Sequence, residues 1–232
     1  MTIFERSDSD GARITADWDG GVSWIAHPDE DGQRGSHAIG TGEGTWLIDP
    51  LDAPNVEERI ASLGEVTGVA VLSCYHARDA GRIARRHDVA VHIPAWMDRV
   101  EARLDAPVER YAFSPAPSVR VLPSRPFPGW QEAVWCHEPT GTLVVPDSLG
   151  TVDLFRVGDE SLGLELLRRL VPPTELAELE PERILVGHGE PVTAEPGSAL
   201  RDALDGARRS FPKALVENGP ESVRTIVSAL RD

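Results

Sequence analysis

Histidine, cysteine, aspartate and arginine crowd into one short stretch of this chain, Val69-Ala70-Val71-Leu72-Ser73-Cys74-Tyr75-His76-Ala77-Arg78-Asp79-Ala80-Gly81. A thiol, an imidazole and a carboxylate so close together can ligate a divalent metal or move protons. The apolar run before them has the β-branched content of a buried strand, and open α/β sheets carry their sites beyond the carboxyl ends of their strands. Two later stretches end in the same manner. Thr142-Leu143-Val144-Val145-Pro146-Asp147 runs from a strand pattern into an aspartate, and Ile184-Leu185-Val186-Gly187-His188-Gly189 runs into a histidine between glycines. Cys74, His76 and Asp79 are candidate metal ligands of the first stretch, and Asp79 is a candidate catalytic carboxylate. Cys74 is also open to a role as thiol nucleophile with His76 as base, since residues two apart on a strand share a face.

The elements that must position these groups read as alternating strands and helices. Val22 to Ala26 is strand-like, and Ser36-His37-Ala38-Ile39-Gly40 with Thr45-Trp46-Leu47-Ile48 forms an antiparallel pair, after a loop at 28–35 whose composition suits a charged surface turn. Val56, Ile60 and Leu63 mark a helix over 54–64 that crosses between parallel strands, and Asp79 to Arg86 marks another, leading to a strand at Val89–Pro94. A short amphipathic helix is expected from Trp96 to Leu104, two strands between Pro107 and Leu122, and a helix from Gly158 to Leu170, with closing helices at Ala199–Arg209 and Glu221–Leu230. His37, His87 and His92 have no partner at ligand spacing and read as structural.

The motifs resemble the metallo-β-lactamase superfamily, whose signature is His-x-His-x-Asp-His followed one residue on by Gly. Cys74 falls on the first His, His76 on the second, Arg78 on the Asp and Asp79 on the last His, with Gly81 in register. The Gly187-His188-Gly189 turn resembles a late ligand turn of the family, Asp147 its metal-bridging Asp, and Asp49 at the end of Gly44-Thr45-Trp46-Leu47-Ile48-Asp49 a supporting residue near the metals, so the resemblance implies His188 and Asp147 as further candidate ligands and Asp147 as a candidate catalytic carboxylate. Pro128-Gly129 stand where the family carries Pro-Gly-His, and Trp130 takes the His position, with Glu132 and His137 as nearby substitutes. The resemblance covers roughly residues 35 to 192 and implies an α/β fold, a four-layer αββα sandwich. It also implies hydrolysis, of lactams, thioesters, lactones, phosphodiesters or nucleic acids, alongside redox chemistry.

Arg78 departs most from that pattern. A guanidinium cannot deprotonate and repels a second cation at close range, so a dinuclear centre is not expected. Three alternatives follow. One is a hydrolase acting on an ester, thioester or related bond with one divalent metal, zinc or iron, held by His76, Asp147, His188 and either Asp79 or Cys74. Another is a metal-free, non-catalytic binding or interaction module in which Arg78 fills the vacated cation position and pairs with Asp79 or Asp147. In the third these residues satisfy one another in a core and the protein works through its surface.

Composition narrows the partners. The 232 residues suit one α/β domain, 1–232, and the formal charge of -15, with Lys213 the single lysine among 23 basic residues, gives a strongly acidic, halophile-like surface that repels nucleic acid and anionic membranes. A small-molecule substrate or ligand is the expected partner. No signal-peptide core opens the chain and no run reaches the ~20 apolar residues of a membrane span, so a soluble cytoplasmic protein is expected. Cys74 and Cys136 alone make no disulfide framework and read as free thiols.

Overall fold

A computed structural model describes residues 3–219; the helix expected at Glu221–Leu230 lies outside them. The chain opens as a meander of antiparallel strands, β1 (Arg13–Trp18), β2 (Gly21–Ile25), β3 (Gly35–Gly40) and β4 (Thr45–Ile48). Helix α1 (Glu57–Ser62) then crosses to β5 (Val66–Ala70), parallel to β4, and α2 (Ala80–Arg86) crosses to β6 (Val91–Pro94), which pairs in parallel with β7 (Val108–Tyr111). These seven strands form one sheet in sequence order.

The second sheet has four strands: β8 (Val119–Ser124), β9 (Glu132–His137), β10 (Thr142–Val145) and, after the small pair β11 (Leu149–Gly150) and β12 (Gly163–Leu164), β13 (Arg183–Val186). Its residues alternate strictly. Ala133, Trp135, Val144 and Leu185 face the first sheet, while Val134, Cys136, Leu143, Val145, Ile184 and Val186 pack under the long helix α3 (Pro196–Glu217) through Ala199, Leu200, Ala203, Leu204 and Ala207. With α1 and α2 on the outer face of the first sheet, the layers run helix, sheet, sheet, helix.

The two sheets are tied where the site lies. Isolated bridges join Arg34 to His188 and Ser73 to Glu132, and Ala133 N–H donates to Leu72 O. The ends of β5, β10 and β13 therefore open at one edge. Glycine is required at one of these ends: a Cβ on Gly187 would stand 2.1 Å from Pro146 O, so only glycine lets the turn after β13 lie against the turn after β10.

Three expectations of local structure are corrected. Gly158–Leu170 is not a helix but β12 and a 3-10 turn at Leu167–Arg169, because Leu162, Leu164 and Leu166 are buried with a period of two and Gly163 lies against the Phe155 backbone. Trp96–Leu104 holds only a 3-10 turn at Glu101–Arg103; Met97 and Val100 are buried at a spacing that imitates a helix face. The 28–35 loop is no plain surface turn, since Glu30 is buried and bidentate with Arg34.

Candidate metal centre

Three groups from three strand ends converge. His76 follows β5, Asp147 follows β10 and His188 follows β13, all buried, with one ligand atom from each lying within 4.8 Å of the others. His76 Nε2 is 3.0 Å and His188 Nε2 3.5 Å from the same oxygen, Asp147 Oδ1. The other Asp147 oxygen accepts from Ser73 Oγ.

The outward faces of both imidazoles decide what the inward faces offer. His188 Nδ1 is 2.8 Å from Gly32 O, a carbonyl that can only accept, so Nδ1 carries the proton. His76 Nδ1 lies 2.7 Å from Asp49 Oδ2 and donates to that carboxylate. Each ring therefore turns its Nε2 toward Asp147, where a lone pair would face carboxylate oxygen unless a cation or a further proton lies between them. Such carboxylate and carbonyl partners on the remote nitrogen are the usual way a metal-binding imidazole is oriented.

Charge tells the same story. Burial opposes ionisation of Asp147, but the His76 charge and hydrogen bonds from both imidazoles outweigh it and hold the carboxyl well below the usual range. For His76, burial and Arg78 disfavour protonation, yet Asp147 and Asp49 prevail and raise its proton affinity above that of an ordinary histidine. The cluster calls for one positive charge among its donors.

Arg78 stands beside that cluster in an unusual backbone conformation, φ +41°. Its guanidinium donates to the carbonyls of Gly35, of Asp49 at 2.8 Å and of Gly187 at 3.2 Å, with Nη2 3.3 Å from His76 Nε2. Burial lowers its pKa to about 10, which leaves it cationic at neutral pH. The pairing expected with Asp79 or Asp147 is thus corrected: carbonyl oxygens, made available by the ends of β3, β4 and β13, take the donors.

Two of the five candidate ligands sit elsewhere. Asp79 stands just before α2, and its side chain, which makes no cap bond to that helix, accepts from Asp52 N–H at 2.9 Å and faces Arg82 at 3.2 Å. Cys74 is buried against Gly129 O, with its thiol pKa raised by burial. The strand ends at Ala70, so Cys74 and His76 lie in a turn and do not share a strand face as a nucleophile and base would need.

Neighbouring histidines and carboxylates have other tasks. His37 bridges Ser23 Oγ and Val186 O, and His137 bonds Thr140 at the far end of β9. Glu132 is fully buried and is a scaffold: it accepts from the backbone N–H groups of Asp147 and Ser148 at 2.8 and 2.7 Å and from Trp130 Nε1 at 3.1 Å. Sequence reasoning missed Ser73, Gly32 and this role of Glu132. Ser73 had a signal, its place at the head of the histidine stretch; backbone carbonyls such as Gly32 O have none.

The cluster forms the floor of a cavity of about 670 Å³ whose walls include Phe4, Tyr75, Arg99, Trp130, Phe155 and Leu166. Both cysteines are free. Among the described residues no helix is long and apolar enough to cross a membrane.

No family model and no curated protein matches the chain. Solved structures do. A metallo-β-lactamase from Hirschia baltica superposes with a TM-score of 0.56 at 12% identity, covering 85% of this chain and 98% of that one. The FIM-1 metallo-β-lactamase from Pseudomonas aeruginosa, in its mono-zinc form, gives 0.51 at 14% identity over 87% and 98%. A diflavin flavoprotein A 5 fragment from Nostoc sp. PCC 7120 gives 0.58 at 12% identity over 90% and 98%. The chain has the metallo-β-lactamase fold, the αββα sandwich expected from its motifs.

Proposed function

We propose that this protein hydrolyses a small ester, thioester or related acyl compound with a single divalent metal, zinc or iron, held by His76, Asp147 and His188. The observation that supports this most is the outward commitment of both Nδ1 protons, which aims two Nε2 atoms at the Asp147 carboxylate. Two imidazoles and a carboxylate are the donor set of catalytic zinc and non-haem iron sites, leaving positions open for water. When bound, the metal would act as a Lewis acid and lower the pKa of a water.

The chain's own residues do the rest. Asp49 and Gly32 O fix the two rings, Ser73 holds the second Asp147 oxygen, and Glu132 anchors the turn that carries Asp147. Arg78 keeps a fixed positive charge beside His76, which restricts the site to one metal. In the net reaction water adds to the carbonyl carbon, the C–O or C–S bond breaks, and a carboxylic acid leaves with an alcohol or thiol. Asp79, committed to Arg82 and the Asp52 N–H, is given no part in proton transfer.

One observation favours a metal-free binding module instead: the Arg78 guanidinium already sits against His76 Nε2 as a built-in cation, and a proton on His76 would balance Asp147. Hydrolysis of p-nitrophenyl acetate and an acetyl thioester, with and without a chelator, separates the two. Turnover abolished by chelation and by His188→Ala supports the hydrolase; no turnover with any added divalent metal supports the binding module. In either case the charge of -15 favours a small-molecule ligand in a soluble setting over nucleic acid.

A further inference from the structure

We propose that the cavity wall formed by Tyr75, Arg99, Phe127, Gly129 and Trp130 binds the anionic end of the ligand, a carboxylate or phosphate group joined to an apolar body. What is then done to that ligand rests on the hydrolase reading above; the binding site does not.

Arg99 carries the inference. In a chain with 38 acidic residues against 23 basic ones, arginines such as Arg59, Arg85, Arg110 and Arg201 face carboxylates. Arg99 pairs with no carboxylate of the described residues. It donates one N–H to Gly129 O at 2.7 Å and lies 5.7 Å from the centre of the Tyr75 ring, which leaves most of its five donors uncommitted in a wall of the cavity. Gly129 makes this placement possible: its φ of +85° is open to glycine, and a Cβ there would stand 2.9 Å from the Arg99 guanidinium. Tyr75 Oη donates to the same carbonyl at 3.3 Å and steadies it.

The acidic groups that share the cavity do not compete. Asp8, Asp52 and Asp79 are held by Arg82 and Arg86, Asp147 by the imidazoles, Glu5 by the N–H groups of Arg6 and Ser7, and Glu165 by those of Leu167 and Arg168. Beside Arg99 the wall is aromatic. Phe127 and Trp130 meet edge to face at 6.4 Å, and the Trp130 N–H is engaged by Glu132, so the ring offers apolar surface. A guanidinium fork next to aromatic rings matches a planar carboxylate or a phosphate carried on an apolar group, and the cavity volume suits a small organic molecule.

Calorimetric titration of the full chain with phenyl phosphate, phenylacetate and benzyl alcohol tests this. At least one of the two anions is expected to bind about tenfold more tightly than the neutral alcohol, and Arg99→Ala to remove that preference; Arg99→Lys keeps the charge and restores part of it. The stronger of the two anions identifies the group recognised. Arg125→Ala, which alters an arginine stacked on Trp96 outside the cavity, should leave binding unchanged. Equal binding of all three probes, or a loss as large in Arg125→Ala as in Arg99→Ala, overturns the proposal. Arg99-dependent anion binding without cleavage of any ester or thioester would refute the hydrolase and keep the anion site; cleavage without Arg99-dependent binding would do the reverse.

Discussion

At the scale of single residues, the site is a set of side chains whose freedom has been removed by their second hydrogen bonds. Asp49 is buried, in the left-handed region at φ +45°, and its two oxygens accept from His76 Nδ1 and Leu72 N–H. Asp49→Asn should therefore lower metal affinity about 10- to 100-fold with little change in fold, as remote partners of metal-bound histidines do; a competition titration against a chromogenic chelator reads this, and unaltered affinity would show that His76 is not a ligand. Arg78 acts in the opposite sense on metal and on fold. Arg78→Gln removes a fixed charge beside His76 Nε2, so the same titration should show metal bound about tenfold or more tightly, while denaturant unfolding shows a loss of about 1–3 kcal/mol from three carbonyls deprived of charged donors. Weaker metal binding in that variant would place Arg78 among the groups that hold the ion.

At the scale of elements, the two sheets are joined by polar contacts that make stability depend on pH and on a few buried groups. His37 on β3 reaches Val186 O on β13, and burial, above all, depresses its pKa to about 3. Its folded value lies below the unfolded one, so its contribution is complete above about pH 6.5 and is lost as pH falls toward 3. Unfolding free energy should drop by a few kcal/mol over that window on this account, and His37→Asn should flatten the slope; an unchanged slope would assign the acid sensitivity to other groups. Glu132→Ala should cost about 3–5 kcal/mol, because two backbone N–H groups lose a buried acceptor and the buried Arg168 loses a nearby negative charge, whereas Glu132→Gln should cost less; chemical unfolding of both variants checks the order. The strands, the β4–α1–β5 crossover and the places of His76, Asp147 and His188 at strand ends could be read from apolar runs and punctuating glycines. Arg78 could be read as a fixed charge among the candidate ligands, but not its carbonyl partners, since any residue type supplies a carbonyl and only the fold chooses which. Gly158–Leu170 misled because leucines spaced by two and by three occur together there, and Asp79 stood among the candidates because an aspartate turned to a backbone N–H and an arginine looks the same in sequence as one turned to a metal.

At the scale of the whole molecule, a chain of formal charge -15 folds around a cavity whose floor gathers His76, Asp147 and His188 and whose side wall bears Arg99, with the fold bringing three distant strand ends to a single oxygen of Asp147. The central claim is that this floor holds one divalent ion. Elemental analysis of protein purified without added metal, then reconstituted with zinc or iron and freed of excess, measures it directly. The expected result is one equivalent per chain for the natural sequence and none for His188→Ala of matching thermal stability. Two equivalents, none after reconstitution, or one retained equally by His188→Ala would contradict it.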